Sequence, residues 1–192
     1  MSVWASILVT IAGLYLAESV RRKTRAEIEA QVAERRLAAY GAAWEKTKVV
    51  MTMREHAGMG APSATDRRKL YDELTTWYFQ EGYGMVLAED TRNIYLTAKE
   101  NLTSPDEKLK PAVLRERILA LPPEAREEAR GRATVRQFSL LRTSMRADLL
   151  VFTGPWGEPL NAEDKAFLDA CGVRRWRRPW RPSPFKKRVD DE

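Results

Sequence analysis

The first charged residue of the chain is Glu18, and the basic residues Arg21, Arg22, Lys23 and Arg25 follow within a few positions. Before them runs Val3-Trp4-Ala5-Ser6-Ile7-Leu8-Val9-Thr10-Ile11-Ala12-Gly13-Leu14-Tyr15-Leu16-Ala17, whose two hydroxyls a helix satisfies internally. A helix of this composition has no polar face to turn to water. At about 1.5 Å per residue it covers roughly 25 Å against a hydrocarbon core of about 30 Å, a short span that needs little tilt. A cleaved leader carries its positive charges ahead of the apolar run, whereas here they come after it, so residues 1–20 read as an uncleaved anchor. The same charges place the rest of the chain on the cytoplasmic side. A core helix of a soluble domain is the alternative for these residues. Ser6, Thr10, Gly13 and Ala17 fall on one stripe. Small residues so placed permit self-association in the membrane, and they are also common in spans that do not associate.

Composition narrows the chemistry of the remainder. Cys171 and His56 are the one cysteine and the one histidine of 192 residues, which excludes a disulfide framework, a thiolate zinc cluster and a histidine relay. The net charge of +6 is uneven: residues 1–25 hold 4 basic and 1 acidic side chains, residues 26–173 hold 21 and 23, and residues 174–192 hold 8 and 3. A nearly neutral body thus lies between two basic ends.

The body predicts an all-α fold, an antiparallel helical bundle over residues 21–173, and neither repeats nor low complexity interrupt it. A long helix spans about 24–57 and continues the anchor, with Ala30, Ala33, Leu37, Tyr40, Trp44, Thr47 and Met51 as a coiled-coil-like seam. Gly58 to Pro62 stop it. Further helices are expected at about 64–81, 88–102, 105–119, 123–150 and 161–171. Leu70, Leu74, Trp77 and Tyr78 form the inner face of the second helix, and Thr91, Ile94, Tyr95, Ala98 and Leu102 that of the third. Ser104-Pro105-Asp106-Glu107 reads as a capping box, interrupted afterwards at Pro111. The helix opened by Pro122-Pro123 shows Val135, Phe138, Leu141, Met145, Leu149 and Phe152 on one face, which is expected to pack on the seam from Ala30 to Met51. Asn161 caps the last helix and Gly172 closes it.

Motifs of catalysis are absent: no phosphate loop, nucleophile elbow, His-Glu-x-x-His or dinucleotide fingerprint occurs. His56 reads as a helix-end residue and Cys171 as a packing residue, so no catalytic residue, metal ligand or cofactor is expected and the chain reads as a non-enzyme. Arg142 and Arg146, one turn apart, and Asp148 form a polar cluster beside an apolar face. It reads as an arginine clamp on carbonyls at a neighbouring helix end, or on Asp90 or Glu81. A phosphate-ligand site is the alternative.

The aromatic run Trp-Tyr-Phe-Gln-Glu-Gly-Tyr-Gly-Met at 77–85, Asp90-Thr91-Arg92, and Leu-Arg-Thr-Ser-Met-Arg-Ala-Asp-Leu at 141–149 together resemble a pattern in membrane-anchored helical proteins of high-GC, actinobacterial-type bacteria. The resemblance covers residues 70 to 150. It implies an anchor and a helical cytoplasmic body, in agreement with a single-pass protein of the bacterial inner membrane read from the anchor and its charges, and it assigns no activity and no functional residue.

Residues 174–192 form a basic aromatic arm whose prolines forbid a helix, predicting a disordered tail. Its binding candidates are Arg174, Arg175, Trp176, Arg177, Arg178, Trp180, Arg181, Lys186, Lys187 and Arg188. Anionic lipid suits charges flanked by aromatic rings, and nucleic acid suits the same charges and rings through phosphates and stacking. A solvated tail without a partner is the third possibility. A straight helix to His56 ends roughly 60 Å below the membrane and the antiparallel return of about 40 Å brings the arm back toward it, which favours lipid. The sequence therefore predicts a membrane-anchored interaction or scaffold protein whose tail contacts the anionic membrane surface. A membrane-tethered nucleic-acid or phosphate-ligand binder is the alternative.

Overall fold

The structure, a computed structural model, describes residues 3–50, 60–149 and 160–173, with the backbone alone for residues 3–13. It is all-α: among the described residues there is no strand. Helix α1, Val3–Lys46, runs 44 residues without a break and tightens into a 3-10 turn at Thr47–Val50. There follow α2 (Ala64–Thr75), a π turn (Thr76–Gln80) and a 3-10 turn (Tyr83–Val86). Helix α3 (Glu89–Thr103) leads through a 3-10 turn (Asp106–Lys108) to α4 (Ala112–Leu119), and α5 (Pro123–Asp148) and α6 (Ala162–Ala170) complete the order.

Local chemistry accounts for the boundaries. Ser63 opens α2 with a reciprocal capping box to Asp66, and Asn161 opens α6 the same way with Asp164. Pro123 begins α5 at a position where its missing N–H costs nothing. Gly82 and Gly172 adopt left-handed φ values of 72° and 73°, where a side chain would be strained.

The core lies between α2, α3 and α5, with α5 packed chiefly on α3. Contacts run antiparallel: Thr91 meets Ser144, and ten residues on Asn101 meets Gln137. Trp77, Tyr95 and Phe138 are fully buried at its centre, each worth about 2–3 kcal/mol of apolar burial. Two glycines permit close packing. A side chain at Gly84 would lie 2.6 Å from the Tyr78 ring, and one at Gly131 would lie 2.7 Å from Ala61 and the Pro62 carbonyl. A second, smaller cluster joins Leu109, Leu114 and Ile118 to Ala129 and Ala133 at the amino-terminal half of α5.

Three expectations need correction. The seam from Ala30 to Met51 is not the partner of α5 along its length: Ala30, Ala33 and Leu37 are exposed, and burial begins only at Ala39 and Tyr40. Helix α5 finds its main partner in α3, whose buried face runs from Thr91 to Leu102. The segment at Ser104 forms no capping box: the Ser104 hydroxyl donates to the Glu100 carbonyl, closing α3, and Asp106 pairs with Arg130 at 3.0 Å. The second helix widens into a π turn after Thr75. Its inner face of Leu70, Leu74 and Trp77 is buried all the same.

Among the described residues no helix is long and apolar enough to cross a membrane. The side chains of the apolar run up to Gly13, and with them Ser6 and Thr10, lie outside those residues. Ala17 is exposed, as is every residue from Leu14 to Arg35. His56, Phe152 and the arm from Arg174 onward lie outside the described residues too.

Candidate functional site

Among the described residues, helix α1 meets the bundle through its last turns, and two polar clusters hold it there. Tyr40, Trp44 and Thr47 succeed one another along one side of α1, and Asp148, Arg146 and Arg142 answer them in reverse order along α5. This antiparallel register brings together all three members of the polar cluster read from the sequence, but divides them between two networks.

Asp148 centres the first network. Its Oδ2 accepts from the Tyr40 hydroxyl at 2.6 Å and from the Thr91 hydroxyl at 2.6 Å. Thr91 has one proton to give and gives it to Asp148, so the Ser144 hydroxyl, 2.6 Å away, donates to Thr91. The Ala88 amide donates to the Tyr40 oxygen at 3.4 Å, and Arg36 donates to the Val86 carbonyl at 2.9 Å. The turn before α3 is thereby tied to α1 at two points. Burial pushes the Asp148 carboxyl above the usual carboxylate range, and the hydrogen bonds from Thr91 and Tyr40 only partly oppose it. Burial likewise raises the Tyr40 phenol well above its ordinary value, and the Asp148 carboxylate beside it adds to the effect.

Arg142 centres the second network. It is 5% exposed and directs its guanidinium to the Thr47 carbonyl and, at 3.2 Å, to the Thr47 hydroxyl. Thr47 in turn donates to the Ala43 carbonyl at 2.9 Å. The carbonyl that opens the 3-10 turn after α1 is thus met by a charged donor from α5. The guanidinium carbons of Arg142 and Arg146 lie 5.3 Å and 5.0 Å from the Trp44 ring centre, within cation–π range. Burial, with the neighbouring Arg146 charge, lowers the Arg142 pKa to about 10. Arg142 and Arg146 are brought together on Trp44, and Arg142 is the clamp on a carbonyl at a neighbouring helix end. Glu81 pairs instead with Lys46 at 3.3 Å.

Chemically, these side chains form a joint. Each network spends its donors on backbone or side-chain oxygens of another element, which fixes the angle at which α1 leaves the bundle. Beyond the joint, Arg67 forms a bidentate pair with Glu127 at 3.0 and 2.9 Å, and Arg136 does so with Asp164. These ties add α2 and α6 to α5. Cys171 is buried at the carboxy-terminal cap of α6. Among the described residues no group of three or more histidine, cysteine or acidic side chains is placed to hold a metal ion.

Sequence reasoning overlooked Tyr40, Thr47, Thr91 and Ser144 as polar partners. Spacing alone places the first three on helix faces. The signal was present: hydroxyl-bearing residues at inward positions, opposite an acid and an arginine one helix away. Neither a family model, nor a curated protein, nor a solved structure matches this chain.

Proposed function

We propose that the chain is a non-enzymatic, single-pass scaffold of the inner membrane, anchored by residues 1–20, with the bundle on the cytoplasmic side. The observation that carries this reading is the course of α1. One helix leads from Val3 to Lys46, from the charge-free run into the bundle, with every residue from Leu14 to Arg35 exposed. At about 1.5 Å per residue, the stretch from Ala17 to Ala39 holds the bundle roughly 30 Å from the anchor. Exposed Leu14, Tyr15 and Leu16 suit the edge of a bilayer, and Arg21 to Arg25 suit the anionic headgroups next to it. The joint at Tyr40 and Arg142 supports the same reading, because a stalk that bears a domain needs a fixed angle at its base.

The basic arm contacts the anionic membrane surface in this proposal. Each lysine or arginine near the surface contributes about 1 kcal/mol, and Trp176 and Trp180 add insertion at headgroup level. The anchor is tested by alkaline carbonate extraction of membranes from cells making the full chain. Retention in the pellet is expected, and release into the supernatant overturns the reading. The arm is tested in nanodiscs by timing trypsin cleavage between Arg174 and Arg188. Slower cleavage on anionic than on neutral lipid is expected, and equal rates remove the lipid contact.

A further inference from the structure

Lys99 lies at the edge of the buried face of α3 and is only 8% exposed. Its Nζ stands 4.5 Å from the centre of the Tyr71 ring and 5.5 Å from that of Phe79. Among the described residues it forms no hydrogen bond and no ion pair. The carboxylates of α2 and α3 close to Tyr71 and Lys99 in sequence are engaged elsewhere: Glu100 by Lys110 at 2.9 Å, Asp72 by Arg68 at 3.6 Å and Glu73 by Lys69 at 3.9 Å. Arg68 also approaches the Tyr71 ring, at 5.8 Å, so two cations flank one ring. A lysine this deep is ordinarily paired with an anion. Aromatic rings meet part of that need, and a carboxylate meets the rest.

The site is open on one side. Among the described residues, the side-chain nitrogens sealed from solvent without a hydrogen bond belong to Arg67 and Arg146 and not to Lys99, so Nζ keeps access to solvent. Phe79, on the π turn at Thr76–Gln80, is 64% exposed and sets a bare ring beside that opening. An acidic segment that also carries an apolar side chain fits both features. The basic arm holds such a segment in Val189-Asp190-Asp191-Glu192, which contains all three acids of residues 174–192. Val173 is fixed in the core just before the arm. The stretch from Val173 to Val189 spans roughly 50 Å when extended, against about 40 Å for the whole of α5. Lys99 is therefore within the arm's reach.

We propose that Val189-Asp190-Asp191-Glu192 docks on this site, with a carboxylate of the acidic run on the Lys99 ammonium and Val189 on the Phe79 ring. The docking is independent of the anchor and of the lipid contact. An anionic membrane attracts the basic part of the arm and repels these three acids, so docking on the bundle and lipid contact compete for one segment. This competition, unlike the docking, rests on the lipid contact proposed above.

The docking is tested on the full chain in non-ionic detergent with a carbodiimide, which joins a carboxylate directly to an amine, and the links are mapped by mass spectrometry. The Lys110–Glu100 pair, 2.9 Å apart, is the internal control. Asp190, Asp191 and Glu192 together are expected to link to Lys99 about five-fold or more often than to Lys69, Lys108 or Lys165, all of which are exposed. An undocked segment meets amines by collision and links to exposed lysines first. A yield at Lys99 equal to or below theirs, with the control link formed, overturns the proposal. In nanodiscs, phosphatidylglycerol is expected to lower the Lys99 yield about two-fold or more relative to phosphatidylcholine. Equal yields on the two lipids overturn the competition, while the detergent result decides the docking by itself.

Discussion

Within α1, Ala30, Ala33 and Leu37 repeat every three or four residues and stand in solvent. Tyr40, Trp44 and Thr47 continue the same repeat and are buried or half-buried. Backbone and spacing are shared, so the difference lies in what stands opposite. The upper stretch leaves its apolar positions in solvent and reaches the 3-10 turn at Tyr83–Val86 through the Arg36 side chain, whereas the lower stretch packs on that turn and on the carboxy-terminal half of α5. A periodic apolar face thus records that a helix is able to pack, and not where its partner ends.

A charge placed on each side of the boundary gives the widest contrast. Ala43 is 1% exposed, and Ala43→Asp is expected to cost about 4 kcal/mol by burying an unpaired carboxylate. Ala33→Asp, two to three turns earlier, is expected to stay within about 0.5 kcal/mol. Urea midpoints of the two variants check this. Equal losses would mean that the upper stretch is covered after all.

Next in size is the clamp. Arg142→Met removes the charged donor to the Thr47 carbonyl and hydroxyl, an expected loss of about 2–3 kcal/mol. Thermal unfolding of the full chain measures it. A variant as stable as the parent would show that the ring of Trp44 and the apolar contacts hold the joint without Arg142.

Tyr40→Phe tests the other network. It deprives Asp148 of one donor and the Ala88 amide of its acceptor, for an expected cost of about 1–2 kcal/mol. Asp148→Asn adds a dependence on pH. The folded-state pKa of Asp148 is raised, so this group's contribution to stability is complete below its ordinary value of 3.8 and is lost as pH rises through the folded value. An asparagine does not titrate. The stability of the parent relative to Asp148→Asn is therefore expected to fall between acid and neutral pH, read as the difference in Tm across that range. A difference that grows toward neutral pH would place the carboxylate in a site that favours its charge.

Much of the bundle was legible because its signals are local. Ser63 and Asn161 carry their own caps, and the face of α3 from Thr91 to Leu102 consists of buried residues at helical spacing. The site was less legible for a physical reason. Tyr40 and Asp148 are 108 positions apart, and only the antiparallel register of α5 on α1 makes them neighbours. Ser104 shows the reverse failure: a local capping pattern was present, but its hydroxyl closes the helix before it, and Asp106 answers an arginine on α5 instead.

The smallest expected effect is the sharpest test of the exposed stretch. Leu37 is 59% exposed, four residues before Gly41, around which a methyl group would meet nothing within 4 Å. Leu37→Ser removes a large apolar side chain that the fold does not bury, so Tm should barely move, with a change of about 0.5 kcal/mol or less. The same substitution at Leu74, which is 0% exposed, supplies the scale at about 3 kcal/mol or more. If Leu37→Ser lowers Tm in a way that depends on protein concentration, the seam is being covered by a second copy. The three-and-four repeat above the joint would then have a partner outside this chain, and the boundary at Ala39 would mark the edge of one protomer and not the end of packing.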